Sequence, residues 1–162
     1  EGANWKHPFG DNRSYEELLN HPVVHVSVRD ALSYCKWAGK RLPHEIEWEV
    51  AARGGKSGSL YPWGNELELD GFHRCNVWQG NFPSENTLAD GYLGTAPVDA
   101  FYTNDYGIQQ MIGNVWELCS NKARIDREKV QVESIDERME IYQQGAIDYY
   151  AAKGGSFVCH ES

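Results

Sequence analysis

A chain of 162 residues with 41% hydrophobic and 24% charged content fits one globular domain rather than a disordered or fibrous chain. Its formal charge of −9 leaves no basic patch for phosphate neutralisation, which argues against a nucleic-acid partner. No apolar run approaches the roughly 18 to 20 residues of a membrane span, so membrane insertion is not expected. There is no signal-like segment; the chain begins at Glu1 and reads as a mature or excised piece, which says nothing about compartment. Six Trp, nine Tyr and sixteen Gly point to a loop-rich α+β domain in which aromatic side chains fill space between irregular segments.

Residues 1–13 read as an irregular leading loop, with a short helix over Ser14–Leu19. Asn12-Arg13-Ser14 matches a glycosylation sequon, a triplet common enough by chance to carry little weight. His21-Pro22-Val23-Val24-His25-Val26 reads as a short buried strand. Ser27 opens the clearest helix: Asp30 completes a capping box, Ala31, Tyr34, Cys35 and Ala38 recur at helical spacing, and Gly39 ends it. Pro43 takes the first position of a second helix, whose early turns carry Glu45, Glu47 and Glu49 and which stops at Gly54-Gly55. From Lys56 to Gly113 almost every signal is a turn, and so long a stretch without periodicity needs something besides backbone ladders to hold it, bound metal ions being one physical answer. Residues 122–152 are dense in charge and predict an inserted surface helix, with a capping box at Ser134-Ile135-Asp136-Glu137 and Ile135, Met139 and Tyr142 on one stripe.

Four cysteines, Cys35, Cys75, Cys119 and Cys159, are too few for a disulfide scaffold and lack the paired spacing of a zinc module. The first three read as small buried hydrophobes. His21 and His25 would share a face of an extended strand, but no third ligand accompanies them. Oxygen donors make a better metal case: Asn76 and Asp90 flank one loop, while Gln110, Asn114 and Glu117 crowd another around Gly113. Hard cations take such amide and carboxylate oxygens together with loop carbonyls. Cys159 follows Gly154-Gly155-Ser156 and precedes His160; adjacency alone does not make a proton-transfer dyad, so both a reactive and a buried thiol remain open at this point.

A set of ordered motifs resembles the formylglycine-generating enzyme (sulfatase-modifying factor) family over nearly the whole chain except the charged insertion. They are Gly2-Ala3-Asn4-Trp5, His21-Pro22-Val23-Val24-His25-Val26-Ser27, Tyr34-Cys35-Lys36-Trp37-Ala38-Gly39-Lys40-Arg41-Leu42-Pro43, Glu47-Trp48-Glu49, Ala51-Ala52-Arg53-Gly54-Gly55 and Tyr61-Pro62-Trp63-Gly64-Asn65. Further along come Asn76-Val77-Trp78-Gln79-Gly80, Gly94-Thr95-Ala96-Pro97-Val98, Gly113-Asn114-Val115-Trp116-Glu117 and Gly154-Gly155-Ser156.

The resemblance implies a single sulfatase-modifying factor domain with C-type-lectin-like topology, little regular secondary structure and up to two structural Ca2+ ions. Carried over by position, one calcium site uses the Asn76 and Asp90 side chains with the Val77 and Tyr92 carbonyls. The second uses Glu117, the Gly113 and Val115 carbonyls, and Gln110 where the family usually has Asn. Family enzymes use O2 to convert the cysteine of a sulfatase Cys-x-Pro-x-Arg segment into formylglycine, with two thiolates holding Cu(I), a soft ion suited to sulfur. Cys159 corresponds to the first of that pair, Ser156 and His160 to active-site neighbours, and Trp116 to an aromatic near the pocket. The expected role of Cys159 is copper ligation and exchange with the substrate thiol.

The departures matter as well. The second thiolate would fall two positions past Ser162, so the chain resembles the central part of the enzyme and is expected not to turn over alone. Val28 and Leu118-Cys119-Ser120-Asn121 replace family residues at the rim of the substrate groove, and Cys35 corresponds to a cysteine that pairs, in animal members, with one beyond this terminus. Animal members work in the endoplasmic reticulum and bacterial ones mainly in the cytoplasm. The rival reading is a non-catalytic binding module of the same fold. The related iron-dependent sulfoxide synthases, which use three histidines in a separate helical domain, find no support in these six scattered histidines.

Overall fold

The computed structural model describes residues 2–11, 13–122 and 150–159. Asn12 of the sequon, the helix expected from Ser134, and His160 lie outside them. So do residues 123–149 of the charged insertion.

A single 3-10 turn, Tyr15–Leu18, is capped by Ser14, whose hydroxyl accepts from the Glu16 N–H. Helix α1 spans Val28–Trp37 with the expected reciprocal Ser27/Asp30 capping box. Helix α2 spans Glu45–Arg53. Its N-cap is His44, with the Glu47 carboxylate returning to the His44 N–H, so Pro43 stands one residue outside the helix rather than opening it. Gly54 ends α2 in the left-handed conformation, φ 57°, where a Cβ would meet Asn104 at 3.0 Å. The Asn104 amide donates to the Ala51 and Ala52 carbonyls at 2.7 and 3.2 Å, reinforcing the helix end where the Gly54 N–H also reaches the Ala51 carbonyl at 3.3 Å.

The 21–26 segment is not a strand. His25 takes φ 56°, which turns the chain out of the extended region and parts the two histidines. The His21 ring lies 2.9 Å from Thr95 Oγ1, and His25 Nε2 lies 2.9 Å from the Pro8 carbonyl.

Strands among the described residues are short. β1 (Glu68–Leu69) and β2 (Phe72–His73) form an antiparallel hairpin across Asp70-Gly71. β3 (Glu117–Lys122) pairs antiparallel with β4 (Tyr150–Lys153), in register from Glu117↔Lys153 to Lys122↔Tyr150 with an irregularity between. Lys122 and Tyr150–Ala152, the two flanks of the charged segment, are therefore ladder residues of the domain itself.

Helix α2 packs on this second hairpin, and the buried cluster Trp48, Ala52, Cys119 and Ala151 lies between them, backed by Met111 and Ile112. Polar bolts surround it. The Ser120 N–H donates to the Pro43 carbonyl and the Glu45 N–H to Asn121 Oδ1, each at 2.8 Å, while Lys153 pairs with Glu49 at 3.1 Å. Cys35, Cys75 and Cys119 are buried as expected, and burial pushes the Cys119 thiol up from its ordinary value. From residue 54 to 116 the only regular element described is the β1–β2 hairpin; the rest is turns pinned by side-chain amides.

Candidate functional site

The turn after β4 carries the thiol. Gly154 has φ 93°, and a Cβ there would come within 2.8 Å of the Met111 carbonyl and 3.2 Å of the Trp48 ring; only glycine lets the chain pass that close to α2. Ser156 is buried, its N–H donates to Cys159 Sγ at 3.3 Å, and its hydroxyl lies 3.5 Å from the same sulfur. The Cys159 N–H closes the turn on the Ser156 carbonyl at 2.9 Å. Cys159 is half-buried, the one described cysteine with access to solvent. The structure thus brings Ser156 and Cys159 together. Trp116, expected near the pocket, holds its indole 56% exposed.

Three segments meet at this turn through backbone bonds. The Trp78 N–H donates to the Cys159 carbonyl at 2.9 Å, and the Phe157 N–H to the Asn114 carbonyl at 3.0 Å. The Gly113 N–H reaches the Gly154 carbonyl at 2.8 Å, and the Asn114 N–H the Asn76 carbonyl at 2.7 Å. The loops bearing the candidate oxygen donors are therefore the scaffold of the thiol turn.

Asn114 is the centre of this junction and not a ligand. Its Oδ1 accepts from the Ala96 N–H at 2.8 Å and from Asn76 Nδ2 at 3.2 Å, and its Nδ2 donates to the Ala96 carbonyl at 3.1 Å. The residue sits at φ 61°, a left-handed conformation that Asn tolerates better than most. With its side chain spent on these three bonds, it leaves the group of oxygen donors that spacing had suggested.

At the first oxygen site the structure brings Val77, Asp90 and Tyr92 together. Asp90 Oδ1 accepts from the Tyr92 N–H at 3.0 Å. The amide of Gln79, a residue the sequence reading passed over as a motif position, bridges the rest: Nε2 donates to the Val77 carbonyl and, at 2.9 Å, to Asp90 Oδ2, while Oε1 accepts from the Asp90 N–H at 3.2 Å. Asn76 is 1% exposed, and although its Nδ2 donates to the Gly94 carbonyl at 2.8 Å, its Oδ1 is buried without a hydrogen-bond partner among the described residues.

The residues of the second site, Gln110, Gly113, Val115 and Glu117, lie along one segment. Gln110 adopts φ 58° and anchors Nε2 on the Pro97 carbonyl at 2.7 Å, leaving Oε1 buried and without a partner among the described residues. The extra methylene relative to Asn thus still delivers a free amide oxygen. Glu117 accepts a 2.7 Å bond from the Trp48 indole, yet burial raises its carboxyl above the usual range.

Two orphaned amide oxygens, a poorly compensated carboxylate and loop carbonyls fit a hard divalent cation, which takes six to eight oxygens and relieves the cost of burying them unpaired. No group of three or more His, Cys, Asp or Glu side chains able to hold a metal occurs among the described residues, so any such site depends on amides and backbone. For copper the donor set fits in part: Cys159 supplies one soft ligand, and the other described cysteines are buried away from solvent.

Fold and site define a loop-rich α+β domain whose one accessible described thiol sits on loops of hard oxygen donors. The chain belongs to the sulfatase-modifying factor enzyme 1-like domain family, whose model matches residues 1–162. It is 52% identical to the formylglycine-generating enzyme of Thermomonospora curvata over 161 residues, 99% of this chain and 52% of that one. It is also 50% identical over 123 residues to the inactive C-alpha-formylglycine-generating enzyme 2 of Bos taurus, 75% of this chain and 40% of the other. The chain thus spans about half the length of the curated relatives it matches. Among solved structures it is similar to PvdO from Pseudomonas aeruginosa, with a TM-score of 0.57 at 22% identity, covering 85% of this chain and 51% of that one. That likeness bears on the fold alone.

Proposed function

We propose that this chain is the thiol-bearing part of an O2- and copper-dependent oxidase that converts the cysteine of a sulfatase Cys-x-Pro-x-Arg segment into formylglycine. The observation that carries it is the Cys159 turn: a half-exposed thiol, held by Ser156 behind Gly154, where a Cβ would clash with the Met111 carbonyl, in a chain 52% identical to a formylglycine-generating enzyme. Cys159 Sγ would ligate Cu(I) and exchange with the substrate thiol, while the Ser156 N–H and hydroxyl orient the sulfur. Bound copper would supply the one-electron chemistry toward O2 that thiols and protein side chains lack. His160 and Trp116 are assigned to the pocket by family position.

In this reading the domain has the lectin-like topology of its family, with the charged segment 123–149 inserted between β3 and β4. Calcium would be held by Asn76, Val77, Asp90 and Tyr92 at one site and Gln110, Gly113, Val115 and Glu117 at the other. Its role is to rigidify the loops on which Cys159 rests.

The test is Cu(I) competition against a chromogenic chelator, with and without a Cys-x-Pro-x-Arg peptide. We expect the peptide thiol to tighten copper binding at least tenfold, with both effects lost in Cys159→Ser and with an Ala-x-Pro-x-Arg peptide. Copper retained by Cys159→Ser would remove this thiol from the site. A second reading, a non-catalytic binding module, draws on the similarity to the inactive bovine protein. It predicts peptide binding that ignores both copper and the substitution.

A further inference from the structure

We propose that the Gln79 carboxamide is a built-in occupant of the first oxygen site, exchanged for a divalent cation when one binds. The proposal rests on the calcium reading above. Its starting point is a conflict of space. Gln79 Nε2 donates both to the Val77 carbonyl and to Asp90 Oδ2, the latter at 2.9 Å. A calcium ion shared by those two oxygens would stand about 2.3 to 2.6 Å from each. The nitrogen fills the volume between them, so the amide and the cation exclude one another.

The orientation of the amide follows from its partners. With Nε2 inward it meets two acceptors, and with Oε1 outward it meets the Asp90 N–H at 3.2 Å. Reversed, Oε1 would face two oxygens and Nε2 would face an N–H, losing all three bonds. In this position the amide N–H group does locally what a cation would: it presents positive charge to a carbonyl and a carboxylate that otherwise repel. A second unsatisfied group stands next to it in the chain. Asn76, adjacent to Val77 and 1% exposed, keeps Oδ1 without a partner among the described residues. The amide of Gln79 serves two of the donors and leaves this one unsatisfied, whereas a cation with six to eight coordination positions has room for it. Gln79 itself is only half-buried, so the displaced side chain can turn toward water.

Gln79 is then a competitor of calcium and not a ligand, and the consequences run opposite to those of a ligand. Removing it abolishes three hydrogen bonds of the metal-free form and none of the metal-bound form. Calorimetric calcium titration of wild type and Gln79→Ala is the test, with Asp90→Ala identifying which binding step belongs to this site, and chemical unfolding in chelator and in saturating calcium alongside. We expect Gln79→Ala to bind at this step about tenfold more tightly, equivalent to about 1.4 kcal/mol, and to lose stability in chelator while matching wild type in calcium. A variant that folds only with calcium is the extreme form of the same result. Weaker binding by Gln79→Ala would make Gln79 a ligand, and unchanged affinity with equal stability loss in both conditions would make it a plain structural bridge; either overturns the proposal. If wild type has no step that Asp90→Ala removes, the calcium reading itself fails, and the exchange with it.

Discussion

Asn114→Ala tests the junction on which the thiol turn depends. The substitution removes three side-chain bonds and leaves both the N–H and the carbonyl of Ala96 unpartnered at a residue with no exposure to water. Each orphaned backbone group costs about 1 to 3 kcal/mol. Asn76 Nδ2 still has the Gly94 carbonyl, so its share is small. Holding Ala instead of Asn at φ 61° adds about 1 kcal/mol. The sum is about 3 to 7 kcal/mol, a large part of the roughly 5 to 15 kcal/mol by which a domain is stable. Urea unfolding followed by tryptophan fluorescence measures it. Asn114→Gly is the companion variant, because glycine accepts the backbone conformation and should recover about 1 kcal/mol of the loss. A loss below about 1 kcal/mol for Asn114→Ala, or no difference between Ala and Gly, would refute the reasoning.

Two further outcomes are expected. In Gly113→Ala the new Cβ would fall 2.2 Å from the Asn76 carbonyl oxygen at φ 74°, so the backbone must part there; thermal unfolding should show a loss of at least about 3 kcal/mol, and wild-type stability would mean that the loops are not so closely apposed. Glu47 is held down to about 2, first by the Arg41 guanidinium at 2.6 and 2.7 Å and then by the His44 N–H. Because the folded value lies below the ordinary carboxylate value of about 4.3, its contribution is present above that value and fades as pH falls toward 2. Stability curves between pH 5 and 2 should be flatter for Glu47→Gln than for wild type, and parallel curves would contradict the assignment.

The helical elements were legible because their signals act within four residues. Ser27 and Asp30 cap α1 reciprocally, and Gly54 ends α2 by adopting a conformation open to it and few others. The same range explains the error at Pro43: it favours a helix start, but His44 supplies the side-chain acceptor and so becomes the cap. The β3–β4 hairpin left no readable signal. Glu117–Lys122 does not alternate cleanly, its partner lies across a charged segment, and its burial comes from α2 rather than from its own pattern.

By itself the sequence determined the two capped helices, the turn-rich middle, the buried cysteines and the thiol set behind two glycines, since each depends on local geometry or on residue chemistry. Only the tertiary structure decided how the oxygen donors divide. Asn114, which spacing had grouped with the ligands, spends its amide on Ala96, 18 residues away, and Gln79, which spacing had ignored, takes the space beside Asp90, 11 residues away. His21 and His25, four residues apart, find separate partners at Thr95 and Pro8. An amide or imidazole can donate or accept with equal ease, so its identity does not say which neighbour it will meet; that is set by the packing of loops distant in the chain.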